Sequence, residues 1–113
     1  MHELSIAVSM IELAQEEAER RGVRVAAIHL KLGPLSGVVR QALEGAYEIA
    51  CEGTPLAGSR LVIEEVPIVA FCPACNQRRE IPSMLLMQCP ECSAPTPEVL
   101  EGADLQVTAL EVE

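Results

Sequence analysis

Four cysteines fall in two matched pairs, Cys72-Pro73-Ala74-Cys75 and Cys89-Pro90-Glu91-Cys92. Two residues between paired thiols allow a tight turn that aims both sulfurs at one ion. Zinc takes four such ligands in a tetrahedron, with Zn–S bonds of about 2.3 Å. Thirteen residues separate the pairs. A short hairpin can fold back over that distance, although it is below the roughly 15–20 usual for zinc ribbons. Redox dithiols and disulfides use the same residue type. A thioredoxin-type site, however, needs one C-x-x-C at a strand-to-helix junction, and two matched knuckles do not have that form. The pattern therefore points to zinc. Four thiolates leave no open position on the ion, which makes its role structural and not catalytic. Iron in the same cage stays open as an alternative. Cys51 stands apart from the pairs and reads as a small buried hydrophobe.

A second candidate metal site lies at Met1-His2-Glu3. The amine of Met1, a deprotonated backbone amide and the imidazole of His2 can chelate one ion in fused rings. Planar nitrogen donors favour nickel(II) or copper(II). The plain alternative makes His2 a solvated residue ahead of a helix and Glu3 a carboxylate favoured by the helix dipole. His29 alternates with apolar residues and reads as the solvent-facing side of a strand. The chain has no nucleophile–base pair and no G-x-x-x-x-G-K-[ST] phosphate loop. It is therefore not expected to be an enzyme, and any GTP hydrolysis must come from a partner.

The elements that position these residues follow from periodicity. Residues 3–21 carry Leu4, Ala7, Val8, Ile11, Ala14 and Ala18 at helical spacing, with Gly22 as the stop. Val25 to Leu32 alternates as a strand and breaks at Gly33-Pro34. Ser36 is placed to cap a second helix from about Val38 to Cys51, with a stripe of Val39, Ala42, Leu43, Ala46, Ile49 and Ala50. Arg60 to Phe71 reads as a second strand, with Pro67 demoting part of it to an edge or bulge. Leu105 to Glu113 reads as a final strand. Between them, Cys72 to about Thr96 holds four of the five Cys and four of the eight Pro. The order of elements suggests an α+β fold, with a four-cysteine, zinc-ribbon-like knuckle subdomain inserted before the last strand.

Composition narrows the function. Half of the 113 residues are hydrophobic but only 2% are aromatic, so one modest aliphatic core is expected. The net charge is −9, with one Lys and seven scattered Arg. Nucleic-acid binders need a basic face for phosphates, so nucleic acid is not an expected partner. No apolar run approaches the roughly 20 residues of a membrane span, and no secretory leader is evident. Metal-type cysteine spacing fits a reducing compartment, so a cytoplasmic location is expected.

Met1-His2-Glu3-Leu4-Ser5, Leu32-Gly33-Pro34-Leu35-Ser36-Gly37, the two C-P-x-C knuckles and the ending Leu110-Glu111-Val112-Glu113 together resemble the HypA family. These are nickel metallochaperones of [NiFe]-hydrogenase maturation, and the resemblance spans essentially the whole chain. It implies a nickel-binding α+β domain, two helices packed on a small mixed sheet, over residues 1–70 plus 99–113, and a zinc-binding subdomain over 71–98. It implies that His2 is the key nickel ligand, with backbone nitrogens near Met1 to Glu3 contributing and Glu3 supporting. It carries Cys72, Cys75, Cys89 and Cys92 over as zinc ligands. The implied cofactors are a structural Zn(II) and a transferable Ni(II). The implied partners are a HypB-type GTPase and the [NiFe]-hydrogenase large subunit. The chain departs from the family pattern at Val39 and Arg40, where acidic residues are common, and it lacks a His beside the second knuckle. An inserted zinc unit also leaves a homodimer by exchange between protomers conceivable. The rival from another class is a zinc-ribbon protein-interaction module with no second metal.

Overall fold

The computed structural model describes residues 3–113. In chain order it contains α1 (Glu3–Arg21), β1 (Val25–Leu32), a 3-10 turn (Pro34–Ser36) and α2 (Arg40–Cys51). Then follow β2 (Arg60–Glu65), β3 (Ile68–Cys72), β4 (Gln77–Ile81), β5 (Glu98–Glu101) and β6 (Leu105–Val112). Helix α1 stops at Gly22, whose φ of 67° opens the left-handed region. There Val23 N–H reaches Ala18 O at 3.0 Å and Gly22 N–H reaches Glu19 O at 3.3 Å. This paired bonding satisfies carbonyls that a helix end otherwise leaves free.

Two three-stranded sheets form. The first runs β2-β1-β6, with β1 parallel to β2 and antiparallel to β6, so the expected mixed sheet is present. Its central strand is buried along most of its length, through Val25, Ala27, Ile28, Leu30 and Leu32. Both helices pack over it, and Ala7, Ile11, Ala14, Leu43 and Tyr47 join its inner face in one core. Tyr47 donates or accepts a 2.7 Å hydrogen bond with Ser59 Oγ, and burial pushes its phenol up to about 12. Cys51 is a core side chain at 5% exposure.

The second sheet runs β4-β3-β5, all antiparallel. The expected single strand over 60–71 is thus two strands in different sheets. Pro67 has no N–H to continue a ladder, so Val66 makes a last 3.0 Å bond to Leu32 O and the chain crosses over. Helix faces also differ from the stripes read in the sequence. On α1 Leu4 and Val8 stay 49% and 40% exposed while Met10 is buried; on α2 Val39 and Ile49 are exposed while Tyr47 and Cys51 are buried. Each apolar stripe is wider than the face one helix and one sheet can cover. Helix α2 starts at Arg40, and Ser36 does not cap it: Ser36 Oγ accepts from Val38 N–H at 3.3 Å instead.

The sheets meet end to end in a molecule 52 Å long but only 25 by 16 Å across. The joint is a backbone crossing at Gly33 and Gly102. Gly33 N–H bonds Asp104 O at 3.0 Å, and Leu35 N–H bonds Gly102 O at 2.9 Å. Leu35 then packs on the second core of Ile68, Ala70 and Ile81. A Cβ on Gly33 would stand 2.2 Å from the Gly102 carbonyl oxygen. Gly102 itself has a φ of 97°, and its Cβ would stand 2.8 Å from Pro67 O. By contrast, Gly45 lies within α2 with nothing in 4 Å of its Cβ position. Gly33→Ala is therefore expected to lower the unfolding free energy by about 1–3 kcal/mol or more in urea denaturation. Gly45→Ala is expected to raise it by about 0.5–1 kcal/mol in the same measurement.

Candidate metal centre

Each knuckle is built by a turn. Cys72 ends β3, and the chain reverses through Pro73 and Ala74 so that Cys75 lies just before β4. Cys75 N–H points at Cys72 Sγ, 3.3 Å away. The second knuckle repeats the device, with Glu91 N–H 3.4 Å from Cys89 Sγ. The residue after each pair, Asn76 or Ser93, has a positive φ, 56° or 63°. Both types tolerate that region better than branched residues do. Cys89 N–H bonds Ala94 O at 2.8 Å and Ser93 N–H bonds Cys89 O at 2.9 Å, closing the second turn on itself.

The two turns bring all four sulfurs within 4.8 Å of one another. Cys72 Sγ is 3.5 Å from Cys92 Sγ, and Cys75 Sγ is 3.9 Å from Cys89 Sγ. A tetrahedral ion with bonds of about 2.3 Å requires sulfurs about 3.8 Å apart. A disulfide requires about 2.05 Å, and all four cysteines are free. The donor set therefore fits a four-coordinate, thiophilic ion with no place left for substrate. Cys72 and Cys89 are fully buried, whereas Cys92 is exposed at the rim.

The electrostatics favour a cation. Burial raises the Cys89 thiol, but backbone N–H groups of Cys92 and Glu91, the Cys92 side chain and Arg79 outweigh it and bring it down to about 6. The Ala94 N–H lowers the Cys92 thiol, yet its crowding by the thiols of Cys75 and Cys72, together with burial, pushes it up to about 12. One thiol thus ionises readily and another resists, because four negative charges cannot share this space. A divalent cation removes that conflict.

Sequence reasoning missed Arg79. On β4 the side chain of Arg79 lies on the same side as buried Ile81, while Arg78 and Glu80 face solvent. Its guanidinium meets Cys75 and Cys89, which hold it more firmly protonated than usual. Strand alternation counted on from Cys75 was the available signal.

The other predicted site residues lie elsewhere. Met1 and His2 fall outside the described residues. Glu3 opens α1, and its Oε2 accepts a 3.1 Å hydrogen bond from Val39 N–H at the start of α2. Val39 is the N-cap of α2 and has no capping side chain of its own, so a carboxylate from another helix serves that end. His29 is engaged on the sheet's outer face, its Nε2 2.7 Å from Glu111 Oε1. Arg60 holds the other Glu111 oxygen at 2.9 Å. No helix among the described residues is long and apolar enough to cross a membrane.

A family model described as "Hydrogenase/urease nickel incorporation, metallochaperone, hypA" matches residues 1–112. A hydrogenase maturation factor HypA of Chloroflexus aurantiacus is 47% identical over 112 residues, covering 98% of both chains. One from Roseiflexus sp. (strain RS-1) is 46% identical over 114 residues, covering 100% of this chain and 93% of the other. The solution structure of the Ni metallochaperone HypA from Helicobacter pylori shares the fold at a TM-score of 0.68 and 20% identity, with 99% and 97% of the chains covered. A second HypA solution structure reaches a TM-score of 0.75, also at 20% identity. Matched by the family model over residues 1–112 and by relatives up to 47% identical along the full chain, the protein belongs to the HypA family, which consists of metallochaperones of hydrogenase maturation and not of enzymes.

Proposed function

We propose that the chain carries two metals with opposite duties. A structural Zn(II) is held by Cys72, Cys75, Cys89 and Cys92. A transferable Ni(II) is bound at the N-terminus by the His2 imidazole, the Met1 amine and nearby backbone nitrogens, with Glu3 in support. The nickel is delivered to an [NiFe]-hydrogenase large subunit, in the cytoplasm, with a HypB-type GTPase as partner.

The observation that carries this reading is the closure of the sulfur cage. An ion with four thiolate ligands has no free position through which to change hands. A metallochaperone therefore needs a second, open site. The chain has two histidines. Glu111 occupies His29. His2, beside an amine and backbone nitrogens, offers the donors that Ni(II) prefers. The zinc's duty follows from the size of the second core. Its buried apolar cluster is only Ile68, Ala70 and Ile81. A core that small does little to offset the entropy of ordering its strands, and metal binding adds folding free energy of its own.

Calorimetric titration of zinc-loaded, untagged protein is expected to show one nickel bound per chain. In His2→Ala that binding disappears while zinc stays in place. Affinity falls as the pH drops through about 6.5, because only the neutral imidazole binds metal. Equal nickel binding by both proteins would instead favour the zinc-module alternative. For the zinc, Cys89→Ser is expected to abolish its retention after gel filtration. Hydrogen exchange in β3, β4 and β5 then accelerates, while the amides of β1 keep their protection.

A further inference from the structure

The four-sulfur centre has a neighbour whose charge and placement its ligand turns do not explain. Once four thiols surrender their protons to a divalent ion, the centre carries two net negative charges, two of its sulfurs fully buried. Backbone N–H groups offset part of this, at Cys72 and Cys89. Arg79 lies on the face of the β3–β4 pair that also carries buried Cys72 and Ile81. It stands opposite Ala70, a fully buried residue whose methyl group takes little room in the strand pair. Its Nε is buried without a hydrogen-bond partner. Buried N–H groups of an ionised side chain are rarely left unpaired. The adjacent Arg78 cannot substitute, because it lies on the other side of the strand and pairs with Glu101.

We propose that Arg79 is a positioning residue of the metal centre: its guanidinium fork donates to the Cys75 and Cys89 thiolates, offsets their charge and sets how firmly the ion is held. This rests on the zinc reading given above. The geometry suits Arg and not Lys, since a planar fork can meet two acceptors at once whereas an ammonium acts as a point charge. Groups that orient and neutralise metal ligands typically change metal affinity by about 10–100-fold. Arg79 also links the first knuckle to the second, since Cys75 and Cys89 belong to different turns.

The test uses the full chain loaded with zinc or with cobalt(II), whose thiolate charge-transfer band reports on the sulfurs. Zinc affinity is read by competition with a colorimetric chelator. Arg79→Gln is expected to weaken zinc by about 10–100-fold and to shift the cobalt band. Arg79→Lys recovers part of the affinity, and Arg78→Gln matches wild type in both readouts. Wild-type affinity and an unshifted band in Arg79→Gln would overturn the inference while leaving the zinc reading intact. A wild-type chain that holds neither zinc nor cobalt would overturn both. If Arg79→Gln does not fold, Arg79→Lys decides: intermediate affinity with a shifted band supports the proposal, and wild-type values reject it.

Discussion

Four sulfurs crowded within 4.8 Å of one another set the terms for one end of this molecule. Each knuckle turn is tight because its N–H groups must point at sulfur, and each is followed by a residue forced to positive φ. Without a cation, that arrangement stores repulsion wherever more than one thiol ionises. With one, the same crowding turns into attraction, in a sheet whose buried apolar cluster is only Ile68, Ala70 and Ile81. The apolar run after Ile81 shows how little else is on offer: Leu85 is 90% exposed, and only Met87 of that run packs inward.

That end is tied to the larger core by backbone, not by a wide apolar interface. The crossing of Gly33 and Gly102 brings main chains closer than any side chain would permit. The Leu32-Gly33-Pro34-Leu35-Ser36-Gly37 segment therefore has a mechanical job. Leu32 closes β1, Gly33 passes under Gly102, and Leu35 reaches into the small core. Gly102 lies between β5 and the start of β6, which runs beside β1 along its length.

Much of this was legible because the signals are local. Cysteine spacing announces a shared ion whatever the fold, and Gly22 ends α1 by its own backbone freedom. The α+β plan and the late strand followed from periodicity, and the mixed sheet from the resemblance to a family. What was hidden depends on distant partners. Nothing around Val66-Pro67 says that the strands on either side enter different sheets, because β propensity carries no sheet address. Which stripe of α2 is buried is decided by α1 and β1, so Tyr47 and Cys51 displaced Ile49 from the core. The Glu3 bond to Val39 spans 36 residues of sequence, and the contact of Arg79 with both knuckles requires β4 to be paired first.

Glu3 also bears on how an ion bound at residue 2, as proposed, would be released. Glu3 opens α1, and the first turn of a helix is the positive end of its dipole. A cation beside a helix N-terminus is disfavoured by about 0.3–1 kcal/mol, a factor of about two to five in affinity. The Glu3 carboxylate, set in that first turn and hydrogen-bonded to the start of α2, opposes the dipoles of both helices. In the nickel reading proposed above, that balance would give a shallower site than the sulfur cage. A carrier needs this difference between its two ends. The metal that builds the protein must stay, and the metal it carries must be able to leave.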